Sequence, residues 1–158
     1  VSCCGAVDTR LKVGDVVVAD TGIVGEGLSA YYGGNDRGAV SGAITFELRQ
    51  LLQRLQMVWQ EGAIWSTDAP YRESRRKLAE LSRNEQVIGV DMEFSALCSI
   101  AAFRGIDFGG VFIVSDELWG ERWNPGFGSD VYKKVRMKIM KEFVAGKTEK
   151  TVDNGKNV

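Results

Sequence analysis

Apolar residues run along this chain in two rhythms, and the alternation between them predicts its elements. "LKVGDVVVADTGIV" (11–24) reads as a turn followed by a valine-rich strand. Residues 25–43 carry six glycines and predict a loop. In 44–56, Ile44, Leu48, Leu51, Leu52 and Leu55 form a helical stripe. Residues 58–68 predict a strand ending in a loop, and 72–84 a charged surface helix. "QVIGVDM" (86–92) is a short buried strand, followed by an apolar helix over 93–105 with Gly105 as its stop. A second buried strand covers 107–118. An amphipathic helix over 129–147 starts at a good cap, Ser129, and leaves a polar tail, 148–158.

Strands and helices therefore alternate, and the strands between helices are apolar almost throughout. That predicts an α/β fold, a mostly parallel sheet covered on both faces. No repeat or linker divides it, so 1–147 is expected to be one domain. In such sheets ligands bind beyond the carboxyl ends of the strands. Three polar clusters follow apolar runs there: "STD" (66–68), "DME" (91–93) and "SDE" (115–117). They are expected on one rim of the sheet. Each could simply cap the next helix. Together, with no lysine or arginine among them, they also suit the wall of a pocket for a neutral, polyhydroxylated ligand.

Composition narrows the chemistry. The 158 residues carry a net charge of −1, which argues against nucleic acid or an anionic membrane as partner. No apolar run reaches the ~20 residues of a membrane span, and no signal peptide is read, so a cytoplasmic protein is expected. Three cysteines, Cys3, Cys4 and Cys98, make no disulfide framework. There is no histidine. Ser-His-Asp and Cys-His catalysis within this chain are thereby excluded, and a zinc site would lack its commonest nitrogen ligand. "GEGLSA" (25–30) matches a dinucleotide-binding fingerprint, but Gly33-Gly34 would break the helix that fingerprint must open.

"SCCGAVDTRLKVGDVVVA", "EGLSAYY", "STDAPY", "VDMEFSAL" and "VFIVSDEL" occur in an order and spacing that resemble the nucleoside phosphorylase family, over about residues 1–145. The family includes purine nucleoside phosphorylases, uridine phosphorylases and methylthioadenosine nucleosidases. The resemblance implies a three-layer αβα sandwich with a mixed, mostly parallel sheet, here lacking the N-terminal strands. It also implies a substrate-binding set. Glu93, second acid of the "DME" motif, would accept from two ribose hydroxyls. Met92 would pack on the ribose face, and Asp91 fills the place of the first acid, so that both acids face a sugar. Asp116, preceded by Ser115, would stand against the base. A purine leaves more easily if N7 is protonated as the glycosidic bond breaks, and a carboxylic acid in a partly dry pocket can supply that proton. An aspartate here tilts the reading towards a purine, because uridine phosphorylases usually read uracil with glutamine and arginine from another loop.

Departures from the family pattern matter as much. Counted from Ser66-Thr67-Asp68, the residue that usually stacks on the base is Pro70, with Tyr71 next as the alternative stacker. In the strand that supplies phosphate contacts, Cys3 takes the place of a serine or threonine, with Ser2 beside it. The glycine-rich phosphate loop of the first strands, with its arginine, has no counterpart. The resemblance implies that Glu26 to Ser29 fall in a segment that, in relatives, approaches the active site and the subunit contact. "LWGERWNPGFG" (118–128) could cover the base as a lid.

The leading expectation is phosphorolysis, in nucleoside catabolism or salvage: a purine nucleoside plus phosphate gives free base and ribose 1-phosphate. Phosphate is the co-substrate, and no metal or organic cofactor is implied. Hydrolysis of a methylthioadenosine-type nucleoside, uridine phosphorolysis, and nucleoside binding by a catalytically incomplete chain are the alternatives. A homo-oligomer is expected.

Overall fold

The valine run becomes the longest strand and organises the sheet around itself. The structure, a computed structural model, describes residues 1–153, and of 145–153 only the backbone. In chain order the elements are β1 (Ser2–Ala6), β2 (Val16–Gly25), β3 (Arg37–Ala39), α1 (Gly42–Arg54), β4 (Trp59–Thr67), α2 (Arg75–Glu85), β5 (Val87–Asp91), α3 (Phe94–Arg104), β6 (Val111–Glu117), β7 (Asn124–Pro125) and α4 (Asp130–Asp153). One-turn 3-10 helices stand at Ser29–Tyr32 and Pro70–Arg72. The glycine-rich 25–43 segment is thus not all loop, since it holds β3. The last helix runs past residue 147 into the expected tail, of which 154–158 lie outside the described residues.

The helix ends follow their sequence signals. Ser41 accepts a hydrogen bond from the Ile44 N–H at 3.5 Å, and Ser74 from the Lys77 N–H at 3.3 Å. Ser129 accepts from the Tyr132 N–H at 3.2 Å, as its capping role predicts. Gly105 closes α3 at φ 66°, the left-handed conformation that costs glycine least.

The sheet runs β3-β2-β4-β5-β1-β6-β7, and an extra β2–β6 pairing closes five of the strands into a small barrel. The class is α/β and the sheet is mixed, as expected, with its longest ladder, β2 with β4, parallel. Closure is what the sequence did not announce. Val16–Val18 pair with β6 on one edge and β4 on the other. A register shift between Ala19 and Thr21 then bends β2, and the edge released by β6 is taken up by β3 at Thr21–Ile23.

Alternate residues of the five strands fill the barrel: Cys4 and Ala6, Val17 and Ala19, Ile64, Ile88, Phe112 and Val114, joined by Phe94 and Cys98 of α3. The opposite residues pack outward. Val16, Val18, Val111 and Ile113 meet Leu48 and Leu52 of α1 and Tyr132 and Ile139 of α4. Ala63, Trp65 and Val87 meet Leu78 and Leu81 of α2.

The topology corrects one expectation. β6 is parallel to β1, β1 is antiparallel to β5, and β5 is parallel to β4. The carboxyl end of β6 therefore does not share a rim with those of β4 and β5. Asp116 and Asp91 meet instead through β1, because Gly5 pairs with Val90 on one side and Asp116 on the other.

Candidate active site

A cavity of about 540 Å³ opens where β1, β5 and β6 meet. Its walls include Cys3, Cys4 and Gly5 of β1, Val90 and Asp91 of β5, and Ser115 and Asp116 of β6. Met92 and Glu93 lie at one side. Pro70, Tyr71, Glu73, Leu118, Trp123 and Phe127 complete it. Gly5 keeps the approach open: a Cβ there would lie 2.7 Å from Leu118 Cδ1 and 3.2 Å from Asp116 Oδ2.

Asp116 is 7% exposed at the end of β6. Its Oδ1 is 2.7 Å from the Ser115 hydroxyl, and its Oδ2 accepts from Trp123 Nε1 at 2.7 Å. The Ser115 hydroxyl also lies 3.1 Å from the Cys4 carbonyl. Trp123 reaches Asp116 because β7 folds back on β6, pairing Pro125 with Asp116. Arg75 of α2 donates to the Glu121 carbonyl and ties this hairpin to α2. From the 118–128 segment, Leu118, Trp123 and Phe127 line the cavity.

The two acids of "DME" part company. Glu93 is exposed at the start of α3, lines the cavity, and accepts from the Ser2 hydroxyl at 3.3 Å. Met92 beside it is 52% exposed. Asp91 is 7% exposed and engaged with protein. It accepts from the Ser66 hydroxyl at 2.6 Å and from the N–H groups of Phe94 and Glu93 at 2.8 and 3.3 Å. Ser66 in turn accepts from the Ser95 N–H at 2.8 Å. Burial pushes the Asp91 carboxyl up to about 6, against the lowering pull of these three hydrogen bonds. Asp91 and Glu93 both line the cavity, but Asp91 also ties β4 and β5 to the start of α3, and Glu93 is the freer acceptor.

Other expected site residues scatter. Cys3 lines the cavity, whereas Ser2 touches it only through Glu93. Pro70 lines the wall. Tyr71 stands at the rim fully exposed, so Trp123 and Phe127 provide the more enclosed aromatic faces. Asp68 lies elsewhere. It accepts from the Gly27 N–H at 3.1 Å and lines a neighbouring pocket of about 450 Å³ with Glu26, Leu28 and Tyr31, which shares Met92 and Glu93 with the first. Burial pushes the Glu26 carboxyl up, but hydrogen bonds from the Ser29 and Ser95 hydroxyls and two backbone N–H groups outweigh it and hold it below the usual range.

Sequence reasoning missed Glu73. It is half-buried, and burial, followed by the charge of Asp116, pushes it up to about 7. Its only signal was its place two residues after Tyr71. The cavity's charged lining residues are Glu73, Asp91, Glu93 and Asp116, all acidic. No group of three or more metal-ligating side chains is placed to hold an ion among the described residues. Nor is any described helix long and apolar enough to cross a membrane.

The phosphorylase superfamily pattern matches residues 1–145. No curated protein sequence is a match. Among solved structures, the chain resembles purine nucleoside phosphorylase from Toxoplasma gondii in complex with immucillin-H, with a TM-score of 0.76 at 19% identity, covering 90% of this chain and 59% of that one. It also resembles AMP nucleosidase from Bacteroides thetaiotaomicron (TM-score 0.70, 18% identity, 95% and 60% covered). Futalosine hydrolase of Helicobacter pylori gives a TM-score of 0.74 at 19% identity, with 91% and 65% covered. The chain thus spans about three-fifths to two-thirds of the length of these proteins.

Proposed function

The chain belongs to the phosphorylase superfamily, and from that premise we propose that it cleaves the N-glycosidic bond of a purine nucleoside. One observation carries the reading: a single cavity brings the exposed Glu93–Met92 pair to one side and the buried, doubly hydrogen-bonded Asp116 to another. Glu93 accepts from the two ribose hydroxyls, and Met92 packs on the sugar. Asp116 gives its proton to N7 as the C1′–N9 bond breaks and its electron pair moves into the base. The electron-poor C1′ is then captured by a nucleophile. Ser115 and Trp123 hold the Asp116 carboxyl in place for that transfer.

With phosphate as nucleophile, the products are free base and ribose 1-phosphate, and Cys3 and Ser2 lie on the strand that approaches the anion. A second reading is hydrolysis. What favours it is the lining: its ionisable side chains are mainly four acids, and none of its described residues is a lysine or arginine that could hold a phosphate dianion, whereas water needs no such partner. Either reading takes a small-molecule nucleoside, no organic cofactor and no nucleic acid, and expects a cytoplasmic homo-oligomer.

The test is chromatographic. The protein is incubated with a panel of nucleosides, with and without phosphate, and free base is measured. Phosphate-dependent release supports phosphorolysis, and release without phosphate supports hydrolysis. Asp116→Asn is expected to cut purine release by about 10²–10⁴-fold, the usual worth of a positioned general acid. Undiminished release would remove Asp116 from the mechanism. Absence of release from every nucleoside would leave nucleoside binding as the surviving alternative.

A further inference from the structure

We propose that Glu73 reads the base: it selects nucleosides whose base carries a 6-amino group over those carrying a 6-carbonyl. The inference rests on the reading of this cavity as a nucleoside site. Glu73 lines the cavity together with Asp116 and is close enough to feel its charge. Its backbone is held on both sides. Its N–H donates to the Pro70 carbonyl at 3.3 Å, the next N–H, of Ser74, donates to the Arg72 carbonyl at 2.8 Å, and Ser74 caps α2. The carboxylate is therefore presented from a fixed turn.

Its partners distinguish it from the other acids of the lining. Asp91 has three donors, Asp116 has Ser115 and Trp123, and Glu93 has Ser2. Glu73 has no side-chain hydrogen bond or ion pair among the described residues. A half-buried carboxylate without a donor is unfavourable, and a ligand that brings one removes the deficit. Pro70, Leu118, Trp123 and Phe127 offer apolar surface to the faces of a ring, which leaves the ring edge to the acids. With Asp116 at N7, the adjoining edge position is C6, and Glu73 beside Asp116 meets the substituent there. An amino group donates to a carboxylate, whereas a carbonyl sets lone pairs against it. An aminopurine fits this pair of acids and an oxopurine does not.

Adenine and hypoxanthine are the probes, because both are purines without a 2-substituent and differ at this edge. Their binding to the intact protein is measured by calorimetry at pH 8, above the value of about 7 to which burial and Asp116 raise Glu73. Release of base from adenosine and inosine is measured in parallel. The wild type is expected to bind adenine about tenfold or more tightly than hypoxanthine, the scale of one hydrogen bond to a charged group. Glu73→Gln, whose amide can donate to a carbonyl, is expected to lose that preference with an unchanged melting temperature. Equal binding of the two bases, binding of neither, or a preference that survives E73Q overturns the proposal. Selective adenine binding that E73Q abolishes, with neither nucleoside cleaved, keeps the role of Glu73 and overturns the cleavage reading instead.

Discussion

Asp91 shows how a residue can sit in a recognised motif and do structural work. Its carboxyl is raised to about 6, with burial the largest cause, so the folded protein holds a proton that the unfolded chain releases near 4. Ionising it in place is costly, and stability should fall as pH rises from about 4 to about 6. The check is urea denaturation of Asp91→Asn beside the wild type. The variant should gain about 2–3 kcal/mol relative to the wild type between pH 4 and pH 8, from two pK units at ~1.4 kcal/mol each. A flat difference would show that Asp91 ionises as freely folded as unfolded. Thr45 offers a smaller test. Its hydroxyl is buried on α1 without a partner among the described residues. Thr45→Val should hold or raise stability by up to about 1 kcal/mol, because no hydrogen bond is lost and an unsatisfied group is removed. At this scale the sequence was partly legible. Glu93, Met92 and Asp116 do line one cavity, although β1 between β5 and β6, rather than a shared rim of strand ends, brings them together. The separation of Asp91 from Glu93 was not legible, since it depends on Ser66, which lies 25 residues earlier and is brought beside Asp91 only by the β4–β5 ladder.

The elements divide along the same line. β2, β4, β5 and β6 were readable as apolar runs, α1 from its periodicity, α2 from its charge, α3 from its apolar run and Gly105 stop, and α4 from its amphipathic pattern and the Ser129 cap. β3 and β7 were not, because three and two residues carry no period, and each exists by pairing with a longer strand. β3 is pinned from one side by β2 and from the other by α3. A Cβ at Gly38 would fall 2.6 Å from Cys98 Cβ and 3.3 Å from the Ser95 carbonyl oxygen, so the strand lies directly on the helix. Gly38→Ala should therefore cost about 1–3 kcal/mol, as overpacking of a tight core does, and thermal unfolding reads it. A neutral result would mean that β3 can lift from α3 without disturbing the fold.

For the whole molecule, closure of the sheet decides which parts open together. Val17 and Phe112 sit in strands flanked on both edges, inside the barrel core. Their amides should exchange with solvent only through global unfolding, while those of β3 and β7 exchange through local opening. Amide exchange followed residue by residue checks this, and rapid exchange at Val17 would show that the barrel opens without unfolding. The closed sheet was hidden in the sequence because it needs the bend at Ala19–Thr21, and a run of valines and alanines shows no sign of where it bends. Closure also bears on how the protein is made. β1 is wedged between β5 and β6, and its partners Val90 and Phe112 follow Gly5 and Ser2 by more than 80 residues. At the usual pace of synthesis, β1 waits on the order of 5–20 s for these two neighbours, which the ribosome has yet to assemble. During that interval its edges are open to any extended segment nearby. Nascent chains halted before residue 111 should be cut by protease within 2–6, and chains released with β6 complete should not.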